Sequence, residues 1–119
     1  MKKLPLILLS FIILFLIPVS GPAQSSDPVY IIPVEGEIEK GLIWVIERGV
    51  EEAEAAGAQA IVLHMNTNGG SAAATQEIME LLTRTDILTY TFIDIRAFSA
   101  GAYIAVATDH IGGSLSMLC

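Results

Sequence analysis

Past an almost unbroken apolar run at residues 4–19, short β-branched runs alternate with longer stretches whose apolar positions recur at helical spacing. Val29-Tyr30-Ile31-Ile32-Pro33-Val34 predicts a strand that is apolar on both faces, and residues 35–41 a charged connection. From Leu42 the apolar positions fall at Leu42, Val45, Ile46, Gly49, Val50 and Ala53, while Glu47, Arg48, Glu51, Glu52 and Glu54 face the other way. That is an amphipathic helix, and Gly57 ends it. Ala60-Ile61-Val62-Leu63-His64-Met65 predicts a second buried strand, Asn66-Thr67-Asn68-Gly69-Gly70 a turn-rich loop, and residues 71–83 a second helix. Ala73, Ile78, Leu81 and Leu82 supply its core face. A third strand is expected over 87–94, a short, tightly packed helix over the small residues 99–107, and the start of a fourth strand at 109–111.

Strands alternating with helices predict a parallel sheet with covering helices joined by right-handed crossovers, hence an α/β domain. In such sheets, ligands collect at the carboxyl ends of the strands. Two segments at that edge stand out in composition: residues 66–70 after the second strand and 95–99 after the third.

The apolar run at the start changes the domain count. Lys2 and Lys3 precede it and Ser20-Gly21-Pro22-Ala23 follows, the layout of a secretory signal cut after Ala23. The run is short of the roughly 20 residues that a membrane-spanning helix wants, which favours cleavage over a retained anchor. The expected organisation is a signal at 1–23, a polar leader at 24–28, one small domain at 29–111 and a tail at 112–119. Loss of Lys2 and Lys3 takes the formal charge from −7 to −9, a surface that repels nucleic acid and anionic lipid heads. The single cysteine, Cys119, is the last residue, so no internal disulfide forms.

Sequential strands usually neighbour one another, which sets Gly69-Gly70 beside Ser99 on one sheet edge. Glycines admit close approach, and a loop entering a helix presents free N–H groups, so the amides of Gly69, Gly70 and Ala100 suit an oxyanion. Ser99, opening the following helix, has its hydroxyl exposed as a nucleophile. The same residues also suit a plain Gly-Gly turn and a serine N-cap, and spacing alone leaves all of these open. The chain lacks GxGxxG and GxxxxGK[ST], which argues against a nucleotide site, and this chemistry calls for no metal or cofactor.

Three blocks in order, Val29 through Ile38, Ala60 through Gly70 and Ala97-Phe98-Ser99-Ala100-Gly101-Ala102-Tyr103-Ile104-Ala105, resemble the protease domain of NfeD-type membrane-bound serine proteases, in the ClpP class of the ClpP/crotonase-like fold. The resemblance covers about residues 29–111. Its strand-end block usually reads Asp-Thr-Pro-Gly-Gly; here the acid and proline are replaced by Asn66 and Asn68, and both glycines are kept. It implies that Ser99 is the nucleophile of a Ser-Lys endopeptidase, that the substrate is a peptide or a hydrophobic membrane-protein segment, and that the protein is oligomeric and, in its longer relatives, membrane-associated; the extracytoplasmic location is expected from the signal segment.

The resemblance also implies a general-base lysine well beyond the serine, and no residue of this sequence matches it. Lys40 lies in the acidic stretch Glu35-Gly36-Glu37-Ile38-Glu39, which favours its charged form. His64 reads as a core histidine, and His110 is expected at the opposite edge of the sheet from Ser99. Two expectations follow: a protease domain truncated short of its base, or a non-catalytic fragment that binds a partner through the same fold.

Overall fold

The computed structural model describes Gly21 and residues 26–114. The expected signal segment, apart from Gly21, its cleavage position and Cys119 lie outside the described residues. Seven elements follow in order: β1 (Val29–Ile38), α1 (Lys40–Ala55), β2 (Ala60–Gly70), α2 (Ala72–Arg84), β3 (Leu88–Ala97), α3 (Ala100–Val106) and β4 (His110–Gly113). The four strands form one parallel sheet in the order β1-β2-β3-β4.

That order has a consequence for the layers. When each strand neighbours the next and every crossover has the same hand, all the helices land on one face of the sheet. Ile32, Val34 and Ile38 of β1, Ile61, Leu63 and Met65 of β2, and Thr89 and Thr91 of β3 are buried beneath the helices. Alternate residues point to the other face, where Val29, Ile31, Leu88 and Phe92 are exposed. The strands are therefore covered on one face, not buried on both as their composition suggests.

The helix α1 packs through Ile43, Ile46, Val50 and Ala53, a run spaced by three and four residues. Val45, expected on this face, is 48% exposed, and Trp44 beside it 71%. Helix and strand meet tightly at Gly49, where a β-carbon would stand 2.5 Å from Ile32 Cδ1. The helix α2 begins at the N-cap Ser71, whose Oγ accepts from the Ala74 N–H, and buries Ala74, Thr75, Ile78, Leu81 and Leu82. Ala73, expected in the core, is exposed.

Two boundaries differ from the sequence pattern. Residues 66–70, which read as a turn, continue β2, because β1 also extends past Val34 and pairs through Glu35↔Asn66, Gly36↔Thr67, Glu37↔Gly69 and Ile38↔Gly70. A β-carbon at Gly70 would overlap the backbone of Ile38, so glycine here permits two backbones to close together rather than to turn. The strand β3 likewise runs to Ala97, with a break in its pairing to β2 between Met65 and Thr67.

The start of β4 is pinned by a side chain. Asp109 Oδ2 accepts from the Thr89 N–H at 2.8 Å and the Thr89 hydroxyl at 2.7 Å, while the Asp109 N–H donates back to Thr89 Oγ1 at 3.1 Å. These bonds, the backbone one foremost, hold the Asp109 carboxyl below its ordinary pKa.

Candidate active site

Both singled-out segments lie at the carboxyl edge of the sheet, and the sheet brings them into contact. β3 delivers Phe98 and Ser99 directly into α3, with Ser99 as the N-cap residue. Its backbone takes φ +50° and ψ −117°, and among the described residues it is the only non-glycine with positive φ. Such a conformation costs about 1–3 kcal/mol and persists only where the surroundings impose it. The serine is exposed, and its side chain caps nothing, although a serine in that place ordinarily accepts from the first turn.

Gly69 is the surrounding that matters most. A β-carbon there would stand 3.0 Å from Ser99 Cβ, 3.1 Å from the Phe98 carbonyl oxygen and 3.3 Å from the Ala100 nitrogen, and its φ is +107°. Only a glycine lets the strand and the helix entrance approach so closely. The Gly69 N–H, however, is engaged by Thr67 Oγ1 at 3.0 Å. The Ala100 N–H, at the first position of α3, has no acceptor among the described residues, as expected of an amide in the first turn.

Thr67, which the sequence pattern did not single out, holds this corner together. It is 2% exposed; its hydroxyl donates to the Gly36 carbonyl at 2.5 Å and accepts from Gly69, bridging the irregularity between β1 and β2. Its methyl faces α3, where a β-carbon at Gly101 would come within 2.5 Å of Thr67 Cγ2. The signal was a β-branched residue inside a run of turn formers.

An open groove of about 490 Å³ runs from Ser99 between α2 and α3. Ala72, Met79, Ala100 and Tyr103 give it apolar walls, and Gln76 and Glu80, bonded to each other at 3.1 Å, lie along it.

No base reaches Ser99 among the described residues. His64 is on the uncovered face of the sheet, half-exposed rather than in the core, with Nδ1 4.0 Å from Glu35, Nε2 3.8 Å from Asp94 and its ring stacked on Phe92. His110 stacks on Tyr90 at the amino-terminal side of the sheet, away from Ser99. Lys40 opens α1 in an exposed position. No group of side chains among the described residues is arranged to hold a metal ion.

A family profile described as NfeD1b, N-terminal domain, matches residues 28–114. The chain belongs to the NfeD1b N-terminal domain family. It is 38% identical over 105 residues to the membrane protein NfeD1b of Bacillus subtilis (strain 168), and 30% identical over 108 residues to the membrane-bound protease PH1510 of Pyrococcus horikoshii. These alignments take in 87% and 88% of the chain but only 24% of each relative, so the chain spans about a quarter of their length. Among solved structures, the 1510-N membrane protease of Pyrococcus horikoshii, specific for a stomatin homolog, matches with a TM-score of 0.68 at 26% identity, over 75% of this chain and 46% of that one. A variant of the same protease in complex with a substrate peptide matches with a TM-score of 0.69. ClpP1 from Listeria monocytogenes shares the fold, with a TM-score of 0.58 at 19% identity over 66% of this chain and 46% of that one. The expected ClpP-like α/β fold is thus the one observed, in a member of a ClpP-like protease family. Members are named as membrane proteins; no helix among the described residues is long and apolar enough to cross a membrane.

Proposed function

We propose that this domain is the nucleophile-bearing part of a serine endopeptidase that acts on hydrophobic segments of peptides or membrane proteins. The observation that carries the reading is Ser99 itself: a strained, exposed N-cap serine whose hydroxyl bonds to nothing among the described residues, at the mouth of an apolar groove. Backbone strain held at a strand-to-helix turn is a recurrent way of presenting a nucleophilic serine. Ser99 Oγ attacks the scissile carbonyl, and the amides of Ala100 and Gly70 stabilise the oxyanion. Gly69, the third donor expected from the sequence, serves by its lack of a side chain while its N–H stays on Thr67. Support for the substrate class comes from the apolar groove walls and from the peptide-bound relative.

A serine hydroxyl needs a base, and neither Lys40, His64 nor His110 bonds to Ser99. The reading takes the base, a lysine in related proteases, from the additional length that the relatives possess. Residues 24–119 alone then cleave poorly, and export places the domain outside the cytoplasm, with membrane association through the longer protein.

The test is peptidase activity on a peptide with a hydrophobic cleavage site, for residues 24–119 alone and for the same residues joined to the continuation of the Bacillus subtilis relative. Ser99-dependent cleavage by the extended form supports the reading. Equal cleavage by both forms would place a base within these residues, and activity that survives Ser99→Ala would exclude Ser99 as nucleophile.

A further inference from the structure

The ladder between β2 and β3 runs in step from Ala60↔Leu88 to Met65↔Ile93, and the next pair is Thr67↔Ala97. Between those pairs β2 uses one residue, Asn66, and β3 uses three, Asp94, Ile95 and Arg96. The regular backbone pairing thus lapses where the glycine strand must be held against the segment that carries Ser99. Backbone contact resumes with the Phe98 N–H donating to the Thr67 carbonyl at 3.1 Å. One side-chain bond crosses the same edge: Arg96 Nη1 donates to Asn68 Oδ1 at 3.2 Å. Asn68 immediately precedes Gly69, and Arg96 lies three residues before Ser99, so this bond joins the two halves of the site beside the irregularity.

We propose that Arg96 is a positioning residue which, through Asn68, holds the Gly69-Gly70 segment in register with Ser99. The proposal rests on the reading of Ser99 as nucleophile. The planar guanidinium suits the role, because its several fixed donors bond an amide oxygen without needing a counter-charge, and no carboxylate pairs with it among the described residues. Arg48, by contrast, is committed to Glu52 at 2.8 Å. A bulge is a common means of re-aiming a side chain next to an active site.

The experiment labels Ser99 in the extended form, residues 24–119 joined to the continuation of the Bacillus subtilis relative, with an alkyl fluorophosphonate across a concentration series, which separates reversible binding from the phosphonylation rate. The serine oxygen forms the P–O bond, fluoride leaves, and the hydroxyl proton passes to the base that the continuation supplies and on to solvent. Arg96→Ala and Asn68→Ala are each expected to slow phosphonylation about tenfold, a loss of about 1.4 kcal/mol, with reversible binding unchanged. The double variant should be no slower than either single one, because both remove the same bond. Arg96→Lys should restore much of the rate, and amide exchange at Gly69 and Gly70 should quicken in Arg96→Ala. Weakened reversible binding at an unchanged rate would make Arg96 a substrate contact and overturn the proposal; so would additive effects of the two alanine variants, or unchanged exchange at the glycines. If the unsubstituted extended form takes no label at Ser99, the nucleophile reading fails, and the glycine exchange rates alone decide the positioning role.

Discussion

Gly69 and Ser99, thirty residues apart in the chain, face each other so closely that a β-carbon on the glycine would stand 3.0 Å from that of the serine. Neighbouring parallel strands bring the two together, and the absent side chain lets them touch.

Gly69→Ala tests this contact. Alanine at φ +107° is strained, and its methyl presses on Ser99 Cβ and on the Phe98 carbonyl. Expected are a loss of stability of about 1–3 kcal/mol by urea denaturation and a loss of Ser99 labelling well beyond what that destabilisation explains.

Ser99→Gly should act in opposite directions on stability and chemistry. Glycine takes φ +50° without steric cost, so relief of strain is expected to offset its greater backbone entropy and leave the variant as stable as wild type or up to about 1 kcal/mol more so. Ser99→Ala keeps the strain and gains nothing. Thermal melts of both variants check the difference; equal destabilisation of both would show that the strained backbone carries no cost.

Much of the fold was legible because two physical periodicities are written plainly in the chain. β-branched runs alternate with helically spaced apolar stretches, and the rule that parallel strands expose ligand sites at their carboxyl ends set Gly69 beside Ser99 without coordinates. What stayed hidden was tertiary. Residues 66–70 carry the composition of a turn but serve as a strand, since at Gly70 glycine admits the backbone of Ile38. Val29 and Ile31 look like core residues but lie on the uncovered face, because burial depends on which layers are present and not on the residue alone. The positive φ of Ser99 and the bond from Arg96 to Asn68 have no sequence signature, since each depends on how two strands fall out of step.

Acid stability provides a check remote from Ser99. The Asp109 carboxyl is held below its ordinary pKa by Thr89, so its contribution is complete above about pH 4 and is lost as the pH falls through the lowered value. Asp109→Asn is expected to be less stable than wild type at pH 7, with the gap narrowing by pH 3. Denaturant midpoints at the two pH values measure it; a gap that widens in acid would contradict the assignment.

The central claim, that Ser99 is a nucleophile presented by a strained turn, is tested most directly by mapping a fluorophosphonate adduct on the extended form by peptide mass spectrometry. The account predicts a single adduct on Ser99, absent from Ser99→Ala and undiminished in Ser114→Ala. An adduct on Ser71 or Ser114, or equal labelling of native and urea-unfolded chain, would contradict it.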